Sequence, residues 1–206
     1  MNVLLINGSP HPDGCVFTAL TEISTTLAHE NIQSEIFWIG NQPLRGCIGC
    51  FQCRADDADG CVFTDDIYNN LINKLKTADG IIIGSPVYYA GPPGQLCCIL
   101  DRVCFSAAKY LKHKPAAAVV NCRRGGASST FDRLNKYFTI LQMPVVSSQY
   151  WNSTHGFTPD DVKKDLEGLQ TMRTLARNMA YLLKSNCKAA LPLPEAEEPV
   201  MTNFIS

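Results

Sequence analysis

Residue types suited to binding a phosphate lie close together near the N-terminus. A short apolar run, Val3–Ile6, breaks into a loop of Gly, Pro, Ser and His residues, and a helical pattern follows. The first turn of a helix has unpartnered backbone N–H groups and partial positive charge, so an anion can bind there with few cationic side chains. The expected donors are the side chains of Ser9, His11 and Thr18 and the backbone N–H groups of Asp13, Gly14, Cys15, Val16 and Phe17. Taken alone, this pattern also fits an ordinary strand-to-helix turn.

The same loop indicates which nucleotide to expect. It lacks the G-x-G-x-x-G spacing of dinucleotide-binding proteins. The second strand-like run is followed by Gly40-Asn41-Gln42, where an acidic residue for a ribose would stand. A mononucleotide is therefore favoured over a permanently bound dinucleotide.

Two further loops carry residues that suit a planar ring. Tyr88 and Tyr89 follow a buried strand, so a tricyclic ring could stack on either of them while backbone N–H groups meet its polar edge. Arg123 and Arg124 precede Gly125, and their charge would favour an anionic reduced ring or attract the phosphates of a nicotinamide nucleotide. The alternatives are tyrosines that only cover the end of the sheet and arginines that only solvate a loop.

A third set of residues is suited to binding metal. Cys47, Cys50, Cys53 and Cys61 form a C-x2-C-x2-C-x7-C pattern in a long segment without periodicity. Four thiolates at this spacing could hold a [4Fe–4S] cluster or a zinc ion. A reversible disulfide among the first three is another possibility, although no thioredoxin-like context accompanies them. The acidic residues Asp56, Asp57 and Asp59 would add negative charge beside an already anionic centre.

The elements that must position these residues alternate along the chain. Five strand-like runs are separated by five helical patterns, which indicates a parallel sheet between two layers of helices. We expect an α/β, doubly wound five-stranded sheet of order 2-1-3-4-5, with its ligand crevice outside the carboxyl ends of strands one and three. The runs lie at Val3–Ile6, Glu35–Ile39, Gly80–Ile83, Ala116–Val120 and Val145–Ser148, and the helical patterns at residues 17–27, 67–75, 96–111, 131–141 and 162–183.

Length and composition limit the class of protein. The chain has 206 residues, 46% of them apolar, which favours one domain at residues 1–185 and an extended tail at 186–206. The net charge of -1, with no basic cluster, argues against nucleic-acid binding. No apolar run is long enough for a membrane helix, and no secretory signal precedes the first strand. The ten cysteines are therefore expected to be reduced thiols in a cytoplasmic protein.

Several segments in order along the chain carry a family resemblance. They are NGSPHPDG, GCIGCFQC, GCVFTDDI, ADGIIIGSPVYY and ILDR. Over residues 1–185 the chain resembles the NADPH-dependent FMN reductase and iron-sulfur flavoprotein superfamily of flavodoxin-like proteins. The resemblance implies a flavodoxin-like fold, non-covalent FMN, and a homodimer or homotetramer with the flavin near a subunit interface.

The resemblance also assigns residues. Ser9, His11, the range 15–18 and the four residues Pro86, Val87, Tyr88 and Tyr89 fall on FMN-binding positions, and the four cysteines have counterparts in the iron-sulfur flavoproteins. The chain departs from the common pattern at His11, where Arg is frequent, and at Cys15-Val16, where an Asn-Thr pair is frequent. Phosphate binding is thus expected to depend more on backbone donors. Trp151, Asn152 and His155 are further candidates for a pocket or an interface.

The expected activity is electron transfer from NAD(P)H, a transient substrate, through FMN to a small-molecule or protein acceptor. No side chain is predicted to act as nucleophile or general base, because the flavin supplies the chemistry and the protein supplies position and charge. The first alternative is an iron-sulfur flavoprotein that acts as an electron carrier. The second is a nucleotide-binding regulatory module without redox activity.

Overall fold

The computed structural model describes residues 1–55, 58, 60–195, 197–198 and 200–202, so Asp56, Asp57 and Asp59 lie outside the described residues. A single-turn 3-10 helix spans Gln52–Arg54. In chain order the other elements are β1 (Asn2–Asn7), α1 (Cys15–His29), β2 (Gln33–Trp38), α2 (Tyr68–Thr77), β3 (Gly80–Pro86), α3 (Gly94–Ser106), α4 (Ala108–Leu111), β4 (Ala116–Cys122), α5 (Ala127–Ile140), β5 (Ser153–His155), α6 (Pro159–Lys164) and α7 (Leu166–Ala189).

The described strands form one parallel sheet of order β2-β1-β3-β4-β5, which confirms the predicted fold class and strand order. Side chains alternate between the two faces of a strand. Leu4 and Ile6 of β1 therefore pack in one hydrophobic layer with α2, α3 and α5, while Val3 and Leu5 pack in the other with α1 and α7. Both faces of the sheet are thus buried under helices. None of the described helices combines the length and apolarity needed to cross a membrane.

The fifth strand lies later in the chain than predicted. The sequence indicates Val145–Ser148, but the ladder with the end of β4 is formed by Ser153–His155. Val145 makes only an isolated bridge to Ala116. The Ser148 hydroxyl then lies 2.6 Å from the Tyr150 carbonyl and 2.8 Å from Oδ1 of Asn152. Local side-chain hydrogen bonds of this kind compete with a ladder, so the chain leaves the sheet and rejoins it at 153.

Two predicted helices are each divided. The pattern at 96–111 breaks at Ala107, between α3 and α4. The pattern at 162–183 breaks at Asp165, whose carboxylate accepts the Gly168 N–H at 2.9 Å and so caps α7. Apolar periodicity does not reveal these breaks, because apolar residues continue at helical spacing on both sides of each break. Helix α7 also continues to Ala189, past the predicted boundary at residue 185.

Candidate functional site

The loop between β1 and α1 is held in shape by Asn7, the last residue of β1. Asn7 is buried, and its side-chain amide donates to the carbonyls of His11 (3.3 Å) and Pro12 (3.1 Å). Its Oδ1 accepts the Ser9 N–H at 3.1 Å. Three hydrogen bonds from one buried side chain therefore fix the path of residues 8–12. The sequence prediction missed Asn7, although a polar residue ending an apolar strand was a signal for it.

The N-terminus of α1 suits an anion. Its N-cap, Gly14, makes no side-chain capping bond, and the first turn has no acidic residue. The first-turn N–H groups and the helix dipole thus remain available. Helix α1 packs closely on the sheet, because a Cβ added to Gly84 of β3 would lie 2.7 Å from Cγ1 of Val16. This contact places the start of α1 over the carboxyl end of β3.

The residues predicted to bind the phosphate occupy different kinds of position. The Ser9 hydroxyl accepts the His11 N–H at 3.1 Å, and the Thr18 hydroxyl donates to the Gly14 carbonyl at 3.2 Å, so both take part in hydrogen bonds of the loop and helix. The side chains of His11 and Asp13 are exposed, and that of Val16 is in the core. Phe17, which follows Val16, is half-buried. Backbone N–H groups are therefore the main donors that this loop offers.

The loop after β3 forms a sharp turn at its tip. Tyr88 and Gly91 exchange backbone hydrogen bonds of 2.8 and 3.0 Å, and Tyr89 and Ala90 have positive φ values of 50° and 59°. Such values are uncommon for residues with a Cβ and often mark functional sites. Pro86 and Val87 are half-buried at the base of the loop, whereas Tyr89 is fully exposed. The turn therefore presents an aromatic side chain to solvent beside the sheet edge.

The loop after β4 lies against this turn. The Ser129 hydroxyl donates to the Ala90 carbonyl at 2.8 Å, and Gly126, with φ +86°, lies so near that a Cβ would be 2.9 Å from the Ala90 Cα. The neighbouring Gly125 is exposed and would meet nothing within 4 Å. The guanidinium of Arg123 lies 5.4 Å from the Phe157 ring centre. Two loops that the sequence predicted to converge are thus in direct contact.

The segment after β5 joins the same edge of the sheet. Asn121, at the end of β4, donates to the Gly156 carbonyl at 3.1 Å and accepts the Thr154 hydroxyl at 3.0 Å. The thiol of Cys15 is 3.7 Å from the same Gly156 carbonyl. Burial is the main cause that raises the pKa of Cys15 above its ordinary value. The start of α1 is therefore connected to the end of β5, which the sequence did not predict.

A cavity of about 260 Å³ lies between the start of α5 and residues 150–155, which lead into and include β5. Arg124, Trp151 and His155 are among the residues that line it. The backbone N–H of His155 donates to Asp165 at 2.6 Å, which anchors that wall to the N-cap of α7. The candidates Trp151, Asn152 and His155 thus line one cavity. Arg124 also lines it, whereas Arg123 does not.

The four cysteines of the motif line a second, smaller cavity of about 20 Å³. All four are free thiols, and burial raises the pKa of Cys53. Within the described ranges, no group of three or more His, Cys, Asp or Glu side chains is arranged to hold a metal ion. In a [4Fe–4S] cluster each thiolate ligates its own iron, so four sulphurs around a shared cavity match that donor set in chemistry. The cavity must widen to admit a cluster, and the exposed Ile48 and Phe51 form its outer side.

One buried arginine borders the cysteine cavity. The guanidinium of Arg102, on α3, pairs with Asp66 and donates to the Phe63 carbonyl at 2.6 Å. Burial acts to raise the pKa of Asp66, but the hydrogen bond and charge of Arg102 more than offset it and hold that pKa below its usual range. The sequence analysis did not predict the pair of Arg102 with Asp66, although Arg102 belongs to the segment ILDR that carries the family resemblance.

Comparison with known proteins gives four matches. A family model described as NADPH-dependent FMN reductase matches residues 1–158. An iron-sulfur flavoprotein of Methanocaldococcus jannaschii is 34% identical over 192 residues, which cover 89% of this chain and 98% of that relative. Among solved structures, a flavodoxin, WrbA-like protein from Agrobacterium tumefaciens matches with a TM-score of 0.61 and 18% identity, over 89% of this chain and 98% of that one. FerB, a flavoenzyme NAD(P)H:(acceptor) oxidoreductase from Paracoccus denitrificans, matches with a TM-score of 0.64 and 17% identity, over 89% and 97%. The two structural matches establish the flavodoxin-like fold.

Proposed function

This chain belongs to the NADPH-dependent FMN reductase family, and from that premise we propose that it transfers electrons from NAD(P)H, through FMN, to a small-molecule or protein acceptor. The observation that carries the proposal is the meeting of three loops at the carboxyl edge of β1, β3 and β4. An uncapped helix start lies at one side, and a turn that presents tyrosines lies at the other. This edge is where doubly wound sheets bind their ligands.

The residues of the three loops fit FMN in charge and shape. Backbone N–H groups at residues 13–17 suit the phosphate, with Ser9 and Asn7 keeping the loop in a binding conformation. Tyr88 and Tyr89 suit one face of the ring, and the close approach at Gly126 leaves backbone groups near its edge. Bound FMN would supply the hydride-accepting and electron-donating chemistry. The chain itself would bind FMN, orient its ring and set the charge around it.

The cavity beside the start of α5 suits the reductant, NAD(P)H. Arg124 supplies positive charge for a phosphate, and Trp151 supplies an aromatic surface for a base. FerB, which shares the fold, is named as an NAD(P)H-dependent oxidoreductase. NAD(P)H would bind at this cavity, and the oxidised nucleotide would leave before the acceptor binds. This sequence of events is a ping-pong kinetic mechanism.

A second function, as an electron carrier with a [4Fe–4S] cluster, is favoured by a separate observation. Cys47, Cys50, Cys53 and Cys61 line a single cavity, and the relative from M. jannaschii is named an iron-sulfur flavoprotein. A cluster here would add a one-electron site to a two-electron flavin. We further propose a homodimer or homotetramer, because Tyr89 and Trp151 are exposed aromatic residues beside the flavin site.

Reconstitution with FMN followed by desalting tests the proposal. The protein should stay yellow, and mixing with NADPH in a stopped-flow instrument should bleach the flavin faster than steady-state turnover. Parallel double-reciprocal lines are expected for NADPH and acceptor. Slow bleaching with full retention of FMN would favour the electron carrier, and a colourless protein would contradict both functions.

A further inference from the structure

Arg102 is an unusual core residue. It is 2% exposed, and in the part of the chain that the structure describes it is the only charged side chain in the buried set. A guanidinium stays charged at every accessible pH, so its burial is unfavourable unless its donors are satisfied. Its partners therefore reveal what the charge is used for.

The partners of Arg102 all belong to the segment that carries the four cysteines. Nη1 pairs with Asp66 and donates to the Arg45 carbonyl at 3.3 Å, and Nη2 donates to the Phe63 carbonyl at 2.6 Å. Nε donates to the sulphur of Cys61 at 3.4 Å. Helix α3, which presents Arg102, packs in the hydrophobic layer through Leu96 and its other buried residues. One side chain thus ties four described residues of this segment, Arg45, Cys61, Phe63 and Asp66, to helix α3.

Cys61 is fixed from two directions. Its backbone N–H donates to the Tyr68 hydroxyl at 3.0 Å, and that hydroxyl is 2.6 Å from the hydroxyl of Ser106 on α3. Its sulphur meets the Arg102 Nε–H. Cys47 and Cys50, in contrast, are exposed. Cys61 is therefore the cysteine of the motif whose position the core determines most directly.

We propose that Arg102 is a positioning residue that holds the Cys61 sulphur as a cluster ligand and raises the reduction potential of the cluster. The inference rests on the proposed iron-sulfur site. Hydrogen bonds to ligand sulphurs and nearby charge tune such potentials. A reduced cluster would carry one more negative charge than an oxidised one, so an N–H donor with positive charge beside the Cys61 sulphur would favour the reduced form.

The test uses the full chain loaded anaerobically with iron and sulfide, without any turnover assay. Iron content, thermal unfolding and an EPR-monitored midpoint potential are measured for wild type, Arg102→Gln, Arg102→Lys and Asp66→Asn. Arg102→Gln should lower the reduced-to-oxidised ratio at a fixed potential about tenfold, equivalent to ~59 mV for one electron. Arg102→Lys should shift the potential less, and Asp66→Asn should shift it in the opposite direction. Arg173→Gln is the matched control, since Arg173 lies on the other face of the sheet and pairs with Glu22.

The outcomes distinguish failure of the proposed iron-sulfur site from failure of the role proposed for Arg102. Wild-type protein that takes up no iron overturns the cluster and this inference together. Arg102→Gln with full iron content and an unchanged potential overturns the inference alone and leaves the cluster in place. If Arg102→Gln does not fold, Asp66→Asn decides, and an unchanged potential in that folded variant overturns the inference.

Discussion

Gly126 and Ala90 lie so close that a Cβ on Gly126 would be 2.9 Å from the Ala90 Cα. This contact joins the loop after β4 to the turn after β3. The positive φ of Gly126, +86°, would also strain any other residue.

Gly126→Ala should weaken FMN binding. The added methyl group must push the two loops apart, and the backbone strain is on the order of 1–3 kcal/mol. We expect about a tenfold higher Kd for FMN, measured by quenching of flavin fluorescence. Gly94→Ala is the matched control, because a Cβ there would meet nothing within 4 Å. Equal Kd values for the two variants would contradict the role of the loop contact.

Asn7→Ala should release the loop between β1 and α1. Its three hydrogen bonds fix residues 8–12, and loss of a buried polar partner costs about 1–3 kcal/mol. FMN retention after desalting should fall while circular dichroism keeps its native shape. Asn41→Ala, at an exposed asparagine, should retain FMN like wild type. Full retention by Asn7→Ala would show that the loop needs no such anchor.

Asp66→Asn should lower stability most near neutral pH. The pKa of folded Asp66 lies below its usual range of about 3.9, so its stabilisation is present above that value and is lost as pH falls through the folded pKa. Breaking a buried pair costs roughly 3–5 kcal/mol. Urea unfolding at pH 7, 5, 4 and 3 should show the difference from wild type shrinking below pH 4. Asp65 is an exposed neighbour that pairs with Arg45, so Asp65→Asn should lower the free energy of unfolding by under about 1 kcal/mol. A difference that does not depend on pH would contradict this account.

Thiol reactivity should follow burial in iron-free protein. Burial raises the pKa of Cys104 to about 12, whereas Cys47, Cys50 and Cys187 are exposed. Because the thiolate is the nucleophile, the exposed three should react first with iodoacetamide at pH 8, and Cys104 and the buried Cys122, whose pKa burial also raises, should react last. Peptide mass spectrometry after timed quenching gives the order. Early labelling of Cys104 would contradict the packing of α3.

Arg124→Gln should raise the KM for NADPH about tenfold with little change in kcat. Arg124 lines the cavity with Trp151 and His155, and loss of binding that is equal in ground and transition states affects KM alone. Tenfold corresponds to about 1.4 kcal/mol. Arg123→Gln should have a smaller effect, because Arg123 lies against Phe157 instead. A larger effect from Arg123 would place the nucleotide elsewhere.

The sequence by itself predicted the sheet order and the loops that converge. Apolar runs alternate with helical periodicity, and right-handed crossovers leave few topologies for such a pattern. The carboxyl ends of parallel strands share one edge, so the residues after β1, β3 and β4 had to lie near each other. The error at β5 has a local cause, since Val145–Ser148 has strand propensity but Ser148 bonds to Tyr150 and Asn152.

Only the tertiary structure decided which side chains meet across that edge and beyond it. Arg102 and Cys61 are 41 residues apart, and the sequence spacing carries no information about their hydrogen bond. The same holds for Asn121 with Gly156 and for Gly126 with Ala90. Apolar periodicity shows which face of a helix or strand is buried, because that pattern depends only on residues close together in the sequence. The position of one buried donor relative to a distant acceptor depends on how whole layers pack, and that is fixed only when the chain has folded.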